Sequence, residues 1–440
     1  MSIFPRYSGI PDILPEDHEY FTHIKKVVRY HARRTGMKRV TLPAIENREA
    51  MEAILGKSAP VLRDQTFFLA KGDQEWILRS DYAVSLARAY VEHVLSEKPK
   101  PVQFYYIDHI WRDVPSRPFY FSQFLSFGFE VMGEQDPALD AQMIEMCHNI
   151  YDDLCLPNIK LRIHTAGTRV SQEKYADELH NFYAGKERVL CANCLENLPE
   201  NPLRLVGCQE EDCKILAEIA PKFGQFLDAP SKEHYAKVKE YLEILSIPFT
   251  EDLTYLGNNN SCTHTVFEFY FEIDGEKISL GAGGRHDTMI ETMGGEPTPA
   301  LGFTSGFERI TELMKKVLLR VPSKDRVDVF VVQIGDDAKK AAMKLVSDLR
   351  RNGVKTMGAL GKAAIRAQLT TASEFDVQYA LVLGQMEVME KKIIIRDMKK
   401  GTQEILPMAG IVEYLVELLG AHRLDTQNFK AMVEEVTETD

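Results

Sequence analysis

An α+β domain reaching to about residue 325, followed by a smaller α/β domain, is the fold class predicted by three features of this chain. Residues 102–110 and 122–133 read as long strands joined by the turn-rich segment VPSRPF, and amphipathic helical stretches surround them. Next, RVPSKDR at 320–326 breaks the pattern and reads as a linker. Beyond it, short apolar runs and helical stretches alternate as β and α up to about residue 420, which gives a small domain of mainly parallel layout.

The first predicted helix lies within 11–35 and carries Phe21, Ile24, Val27, Val28 and His31 near helical spacing. A short strand over 38–42 ends at Pro43, and a strand over 75–78 runs into Arg79, Ser80 and Asp81 ahead of a further helix. In the strand over 122–133, Leu125, Phe127, Phe129 and Val131 point one way, leaving Ser126, Gly128 and Glu130 on the other face. A carboxylate among small residues has two readings, a pocket floor or a solvated antiparallel face. The segment THTVFEFYF alternates too: Phe267, Phe269 and Phe271 share the core face, while Cys262, His264, Glu268 and Tyr270 share the other. In the following LGAGGRHD, Gly281, Gly283 and Gly284 would let a ligand approach the backbone closely. The last helix of this domain places Phe307, Ile310, Met314 and Val317 on one stripe and sends Arg309 elsewhere.

Bulk properties bound the function. The 440 residues carry a formal net charge of −12, so phosphate backbones meet no global attraction. Neither a signal-peptide pattern nor a membrane-length apolar run occurs, which predicts a cytoplasmic protein without membrane contact and makes the Asn259-Asn260-Ser261 sequon inert. Seven cysteines, an odd number, suggest no disulfide framework. Four of them fall in a mostly helical insertion over about 168–246: Cys191 and Cys194 form C-x2-C, and Cys208 and Cys213 form C-x4-C. That spacing suits tetrahedral thiolate coordination of a structural zinc ion, set against four buried thiols. Cys262 with His264 offers a thiolate pair or simply small residues that enlarge a pocket.

Taken together, GIPDILPED, WRDVPSRPFYFSQFLSFGFEVMG, LGAGGRHDTMIETMGGEPTPALGFTSGFERI and YALVLGQMEV resemble the histidyl-tRNA synthetases over nearly the whole chain, including Asn201-Pro202-Leu203-Arg204 ahead of Cys208. The resemblance implies a class II synthetase catalytic core with an antiparallel six-stranded sheet, a homodimer built near residues 38–43, and a C-terminal anticodon-binding-type domain over 327–420 before an acidic tail at 428–440. It implies ATP with Mg2+ and an amino acid, histidine by default, as ligands. Arg112 matches the arginine on the α-phosphate of ATP and Arg309 the one on the γ-phosphate side, tasks that suit a planar, permanently charged guanidinium. Glu130 matches the glutamate that reads the imidazole of histidine, and Gly283 and Arg285 belong to the GGR bordering the pocket.

The pattern departs at the amino-acid pocket. The family run Arg-Pro-Glu-Gly-Thr, which holds the substrate amino group, reads Arg79-Ser80-Asp81-Tyr82-Ala83; the glutamine that shares this task becomes Ser126. The second arginine of the motif 2 loop becomes Tyr120, and the tyrosine after GGR becomes His286. Where the family has RGLDYY, this chain has Gly257-Asn258-Asn259-Asn260-Ser261-Cys262, which removes an arginine and a tyrosine from the pocket wall. Basic residues thin out after Arg366, which predicts weakened tRNA contact. Two functions compete: an ATP-dependent amino-acid-activating ligase, and a catalytically silent relative acting as a regulatory subunit, for example of ATP phosphoribosyltransferase.

Overall fold

The computed structural model describes residues 4–56, 62, 65–71, 74–199, 201–208, 210–252, 262–322, 326–358, 364–420 and 424, in two compact units, Met1–Val321 and Pro322–Asp440. The polar run at 257–261 and the acidic tail at 428–440 lie outside the described residues.

The strands of the first unit are β1 Lys38–Arg39, β2 Ile45–Asn47, β3 Phe68–Lys71, β4 Gln74–Leu78, β5 Val102–Trp111, β6 Gln123–Met132, β7 Lys160–Thr165, β8 Thr250–Glu251, β9 Thr263–Ile273, β10 Glu276–Arg285 and β11 Ala300–Gly306. Six of them form an unbroken antiparallel sheet in the order β5-β6-β11-β10-β9-β7, as expected. Two-residue strands extend it: β1 lies parallel to β5 and β8 parallel to β7. A separate three-stranded sheet, β2-β4-β3, precedes the helix Tyr82–Glu92.

One face of the large sheet is packed and aromatic. Phe127 and Phe129 of β6, Phe267 and Phe269 of β9, and Phe303 of β11 are buried there, with the Phe267 and Phe303 rings parallel within 3° and 5.8 Å apart. The helix Pro15–Arg34 covers this face through Phe21, Ile24, Val28 and Ala32, a stripe at near-helical spacing. Helix Phe307–Lys316 adds Phe307, Ile310 and Met314; Val317, expected on the same stripe, instead caps the helix and is exposed.

The insertion builds its own small core from Tyr175, Leu179, Tyr183, Leu205 and Phe223. Its last helix, Ala229–Ile244, packs against the main-unit helix Pro137–Asp153, and Val238 and Leu242 join the main core.

The second unit holds β12 Val329–Gln333, β13 Thr356–Gly358, β14 Tyr379–Leu383, β15 Lys392–Asp397 and β16 Gln403–Pro407 in the order β13-β12-β14-β15-β16. Only the β13-β12-β14 part is parallel; β15 and β16 run antiparallel, which corrects the mainly parallel expectation. Connection length explains this. Only residues 384–391 separate β14 from β15, too few for the dozen or more that a parallel crossover needs.

Candidate functional site

The polar face of the sheet forms the floor of a cleft of about 380 Å³. Arg112 enters where β5 ends, Arg309 comes from the first turns of helix Phe307–Lys316, and Asp81 sits at the start of helix Tyr82–Glu92; all three line the cleft. Between them run Ser279–Ala282 of β10 and Thr304–Gly306 of β11. Small residues there leave room that larger side chains would fill.

Each arginine is fixed before any ligand arrives. Arg309 donates from Nε to the Phe119 carbonyl at 2.8 Å and from Nη1 to the Ser279 carbonyl, and its guanidinium lies 5.3 Å from the Tyr120 ring centre. Burial lowers its pKa and the positive charge of Arg112 adds to that, which places two cations at one site. Arg112 donates to the Ser80 carbonyl at 2.8 Å and stands 3.9 Å from Asp81 Oδ2. Asp81 caps its helix by accepting from the Ala83 amide at 2.9 Å. Glu268 also lines the cleft, gripped by Arg162 Nε at 2.6 Å.

Arg204 lines this same cleft from the insertion, and it also lines a second cavity beside Cys191, Cys194 and Cys208. Its Nη1 donates to Asn197 Oδ1 at 3.3 Å. Nothing in the run Asn201-Pro202-Leu203-Arg204 itself assigns Arg204 a role, because only the tertiary fold carries it to the cleft. The four cysteines do converge: their Sγ atoms all lie within 4.8 Å of one another, and Cys191 and Cys208 approach to 3.9 Å. Tetrahedral thiolate coordination needs sulfurs about 3.8 Å apart. The set could therefore hold a metal ion, and Cys191 already accepts from the Cys194 amide, which pulls its thiol pKa down.

Other expected site residues fall behind the cleft or away from it. Ser126 Oγ is 2.8 Å from Thr304 Oγ1, one layer behind the lining. Glu130 and His286 face each other at 3.1 Å, both buried. Arg285 turns to the opposite, helix-packed face: its Nε lies 2.9 Å from Asp140 Oδ1, its Nη1 donates to the Glu134 carbonyl, and it is fully buried. Gly283 shares that face, where an added Cβ would meet the Phe267 ring and the Gly302 carbonyl at 2.5 Å. The glycine admits a neighbouring strand and ring. It does not admit a ligand.

Cys262 packs with Ala166 and Val266, and His264, at φ +43°, sets its ring 5.1 Å from that of His234. Neither lines the cleft: Cys262 stays beside Val266, which alternation puts on the face of Glu268, whereas His264 turns to His234, and this corrects the assignment of His264 alone. The cause for His264 is its left-handed backbone, which breaks the alternation of the strand at that residue.

A family model described as histidyl-tRNA synthetase matches residues 9–310, and one described as an anticodon binding domain matches 328–418. This chain belongs to the histidyl-tRNA synthetase family. A histidine--tRNA ligase from Dehalococcoides mccartyi is 32% identical over 405 residues, covering 92% of this chain and 97% of the relative. One from Natranaerobius thermophilus is 29% identical over 414 residues, covering 94% and 98%. The crystal structure of apo histidyl-tRNA synthetase from S. aureus superposes with a TM-score of 0.79 at 28% identity, covering 94% of this chain and 99% of that one.

Within this family the run 79–83 carries its departures into the structure. Arg79 is fully buried and serves the backbone, donating to the carbonyls of Leu42, Pro43 and His109 at 2.7–3.0 Å. Tyr82, where the family pattern has glycine, stacks on Tyr106 with ring centres 3.6 Å apart. Its hydroxyl accepts from the Leu42 amide at 3.1 Å, and the Arg79 guanidinium lies 4.4 Å from its ring centre.

Proposed function

We propose that this synthetase-family chain is an ATP-dependent ligase that activates an amino acid as its adenylate in the cleft over the large sheet. The observation that carries this reading is the placement of Arg112 and Arg309, from two separate segments, on one cavity of about 380 Å³, within the usual range for a small-molecule site. In the reaction a substrate carboxylate oxygen attacks the α-phosphorus of ATP, the bond to the bridging oxygen breaks, and pyrophosphate leaves. Negative charge grows on the phosphoryl oxygens, and arginines already held by backbone carbonyls meet it without reorganising. Arg204 supplies a third cation to this cleft, which supports activity despite glycine at position 257.

Bound Mg2+ would neutralise the polyphosphate. Asp81 and Glu268 are the carboxylates lining the cleft, and Arg162 already grips Glu268, so this donor set fits an ion arriving on ATP with its own waters. For the insertion we propose a structural zinc ion on Cys191, Cys194, Cys208 and Cys213. A homodimer in the cytoplasm, with weakened tRNA contact by the C-terminal domain, completes the reading.

ATP–pyrophosphate exchange with each of the twenty amino acids tests this function, and exchange dependent on one of them is expected. ATP binding without any exchange would favour the silent regulatory reading. An ATP phosphoribosyltransferase regulatory subunit/histidyl-tRNA synthetase from Bacillus halodurans shares the fold, with a TM-score of 0.61 at 20% identity.

Zinc has its own test. Metal analysis should find it in stoichiometric amount. Chelation, or Cys213→Ser, should destabilise the insertion by an amount on the order of several kcal/mol, read as an early unfolding transition. Because Arg204 sits between the cysteines and the cleft, exchange should fall in parallel. A full metal complement after Cys213→Ser, or none in the wild type, contradicts the assignment.

A further inference from the structure

Glu130 projects from the small-residue face of β6 and is only 3% exposed. Gly302 stands opposite it on β11, where a Cβ would lie 2.1 Å from Glu130 Oε1; glycine there is what gives the carboxylate its seat. The carboxylate does not wait for an outside ligand. His286 Nε2 lies 3.1 Å from Glu130 Oε2, and neither atom has an aligned hydrogen bond among the described residues. The backbone on either side of this histidine is pinned, since its amide donates to the Ala300 carbonyl at 2.9 Å and its carbonyl accepts from the Met289 amide at 3.1 Å. Burial opposes protonation of His286, but the carboxylates of Glu130, Asp287 and Asp81 outweigh it and raise its pKa. Burial also raises the Glu130 pKa, and His286 pulls it back.

The neighbouring space on this face is filled as well. Tyr106 covers Gly128, where a Cβ would meet its hydroxyl at 2.3 Å, and Tyr82 stacks on Tyr106. What stays open is the part of the cleft between Arg112 and Arg309.

We propose that His286 is a built-in ligand of Glu130, a seated imidazole that closes this carboxylate to a basic side chain and makes the acyl site one for a small, uncharged amino acid. Once the pair is formed, the Glu130 charge is already engaged by His286, while Arg162 holds Glu268 and Arg112 stands beside Asp81, so an incoming cationic side chain would be buried with little to compensate it. The substrate class named here rests on the adenylation reading; the seating of His286 does not.

Two measurements keep the parts separate. In the exchange panel, wild type should respond to amino acids the size of glycine, alanine or serine, with histidine at least tenfold lower; histidine as the best substrate overturns the proposal. No exchange with any amino acid ends the adenylation reading and with it the substrate class. Imidazole binding, read by calorimetry and by thermal melting on full-length protein, then decides the seat. His286→Gly opens a cavity against Glu130, so imidazole should bind it and raise its melting temperature. Wild type, and the double variant His286→Gly with Glu130→Gln, should bind at least tenfold more weakly. Equal imidazole binding by all three overturns the proposal. Should His286→Gly fail to fold, His286→Ala provides the same cavity, and failure of both to fold unless imidazole is added counts as support.

Discussion

Arg309→Ala should lower ATP–pyrophosphate exchange by about two to three orders of magnitude while leaving the fold intact. That is the loss that follows when one preorganised donor is removed from a site of developing charge. Two backbone carbonyls hold this side chain, and the Tyr120 ring lies alongside it, so the cation costs nothing to position in the transition state. Arg309→Lys should recover only part of the rate. A lysine keeps the charge but loses the planar fork that satisfies both carbonyls while still facing the cleft. The loss should appear mainly in the rate, with a smaller change in ATP binding, because Arg112 and Arg204 still line the cleft that receives the nucleotide. Unchanged exchange in a folded Arg309→Ala variant would remove this arginine from the chemistry, and circular dichroism with a melting curve establishes folding.

What could be read in advance divides along physical lines. The strand over 122–133 was legible because apolar and small residues alternate strictly, and β6 buries Phe127 and Phe129 while Ser126 and Glu130 take the other face. Motif arginines were legible because their neighbours in the chain resemble a family pattern, and both line the cleft. The glycine-rich end of β10 was not. Gly-Ala-Gly-Gly carries almost no side chains to show a face, so the placement of Arg285 at the pocket rested on its resemblance to the family's GGR alone, and the residue belongs to the packed side. His264 was not legible either, because its left-handed backbone breaks the alternation of the strand. Arg204 and the His286–Glu130 pair depend on contacts across long stretches of chain, which no local pattern encodes. The parallel expectation for the second unit failed because it weighed the alternation of elements and not the length of the link between β14 and β15.

Arg285→Met should destabilise the first unit by roughly 3–5 kcal/mol, the usual effect of breaking a buried ion pair and stranding its partner charge. Asp140 is that partner. It receives Arg285 at 2.6–3.0 Å and His234 Nε2 at 2.8 Å, and both carboxylate and guanidinium are fully buried. Burial alone would raise the Asp140 pKa, but His234 and Arg285 outweigh it and hold it below the ordinary aspartate value. Its contribution to stability is therefore full above the unfolded-state pKa and is lost as pH falls through the folded one. Without Arg285 the folded pKa rises, so acid unfolding of the variant should begin at higher pH than in wild type. Because His234 comes from the insertion helix Ala229–Ile244, the same cluster ties the insertion to the helix Pro137–Asp153, and loosening it should expose both. Pairing Arg285→Met with Asp140→Leu should return part of the stability by removing the stranded charge. Function separates the two roles open to this arginine. As a packed structural residue, its loss should leave the KM for ATP and for the amino acid unchanged at temperatures where the variant stays folded. A large rise in the amino-acid KM with little change in melting temperature would return Arg285 to the substrate pocket.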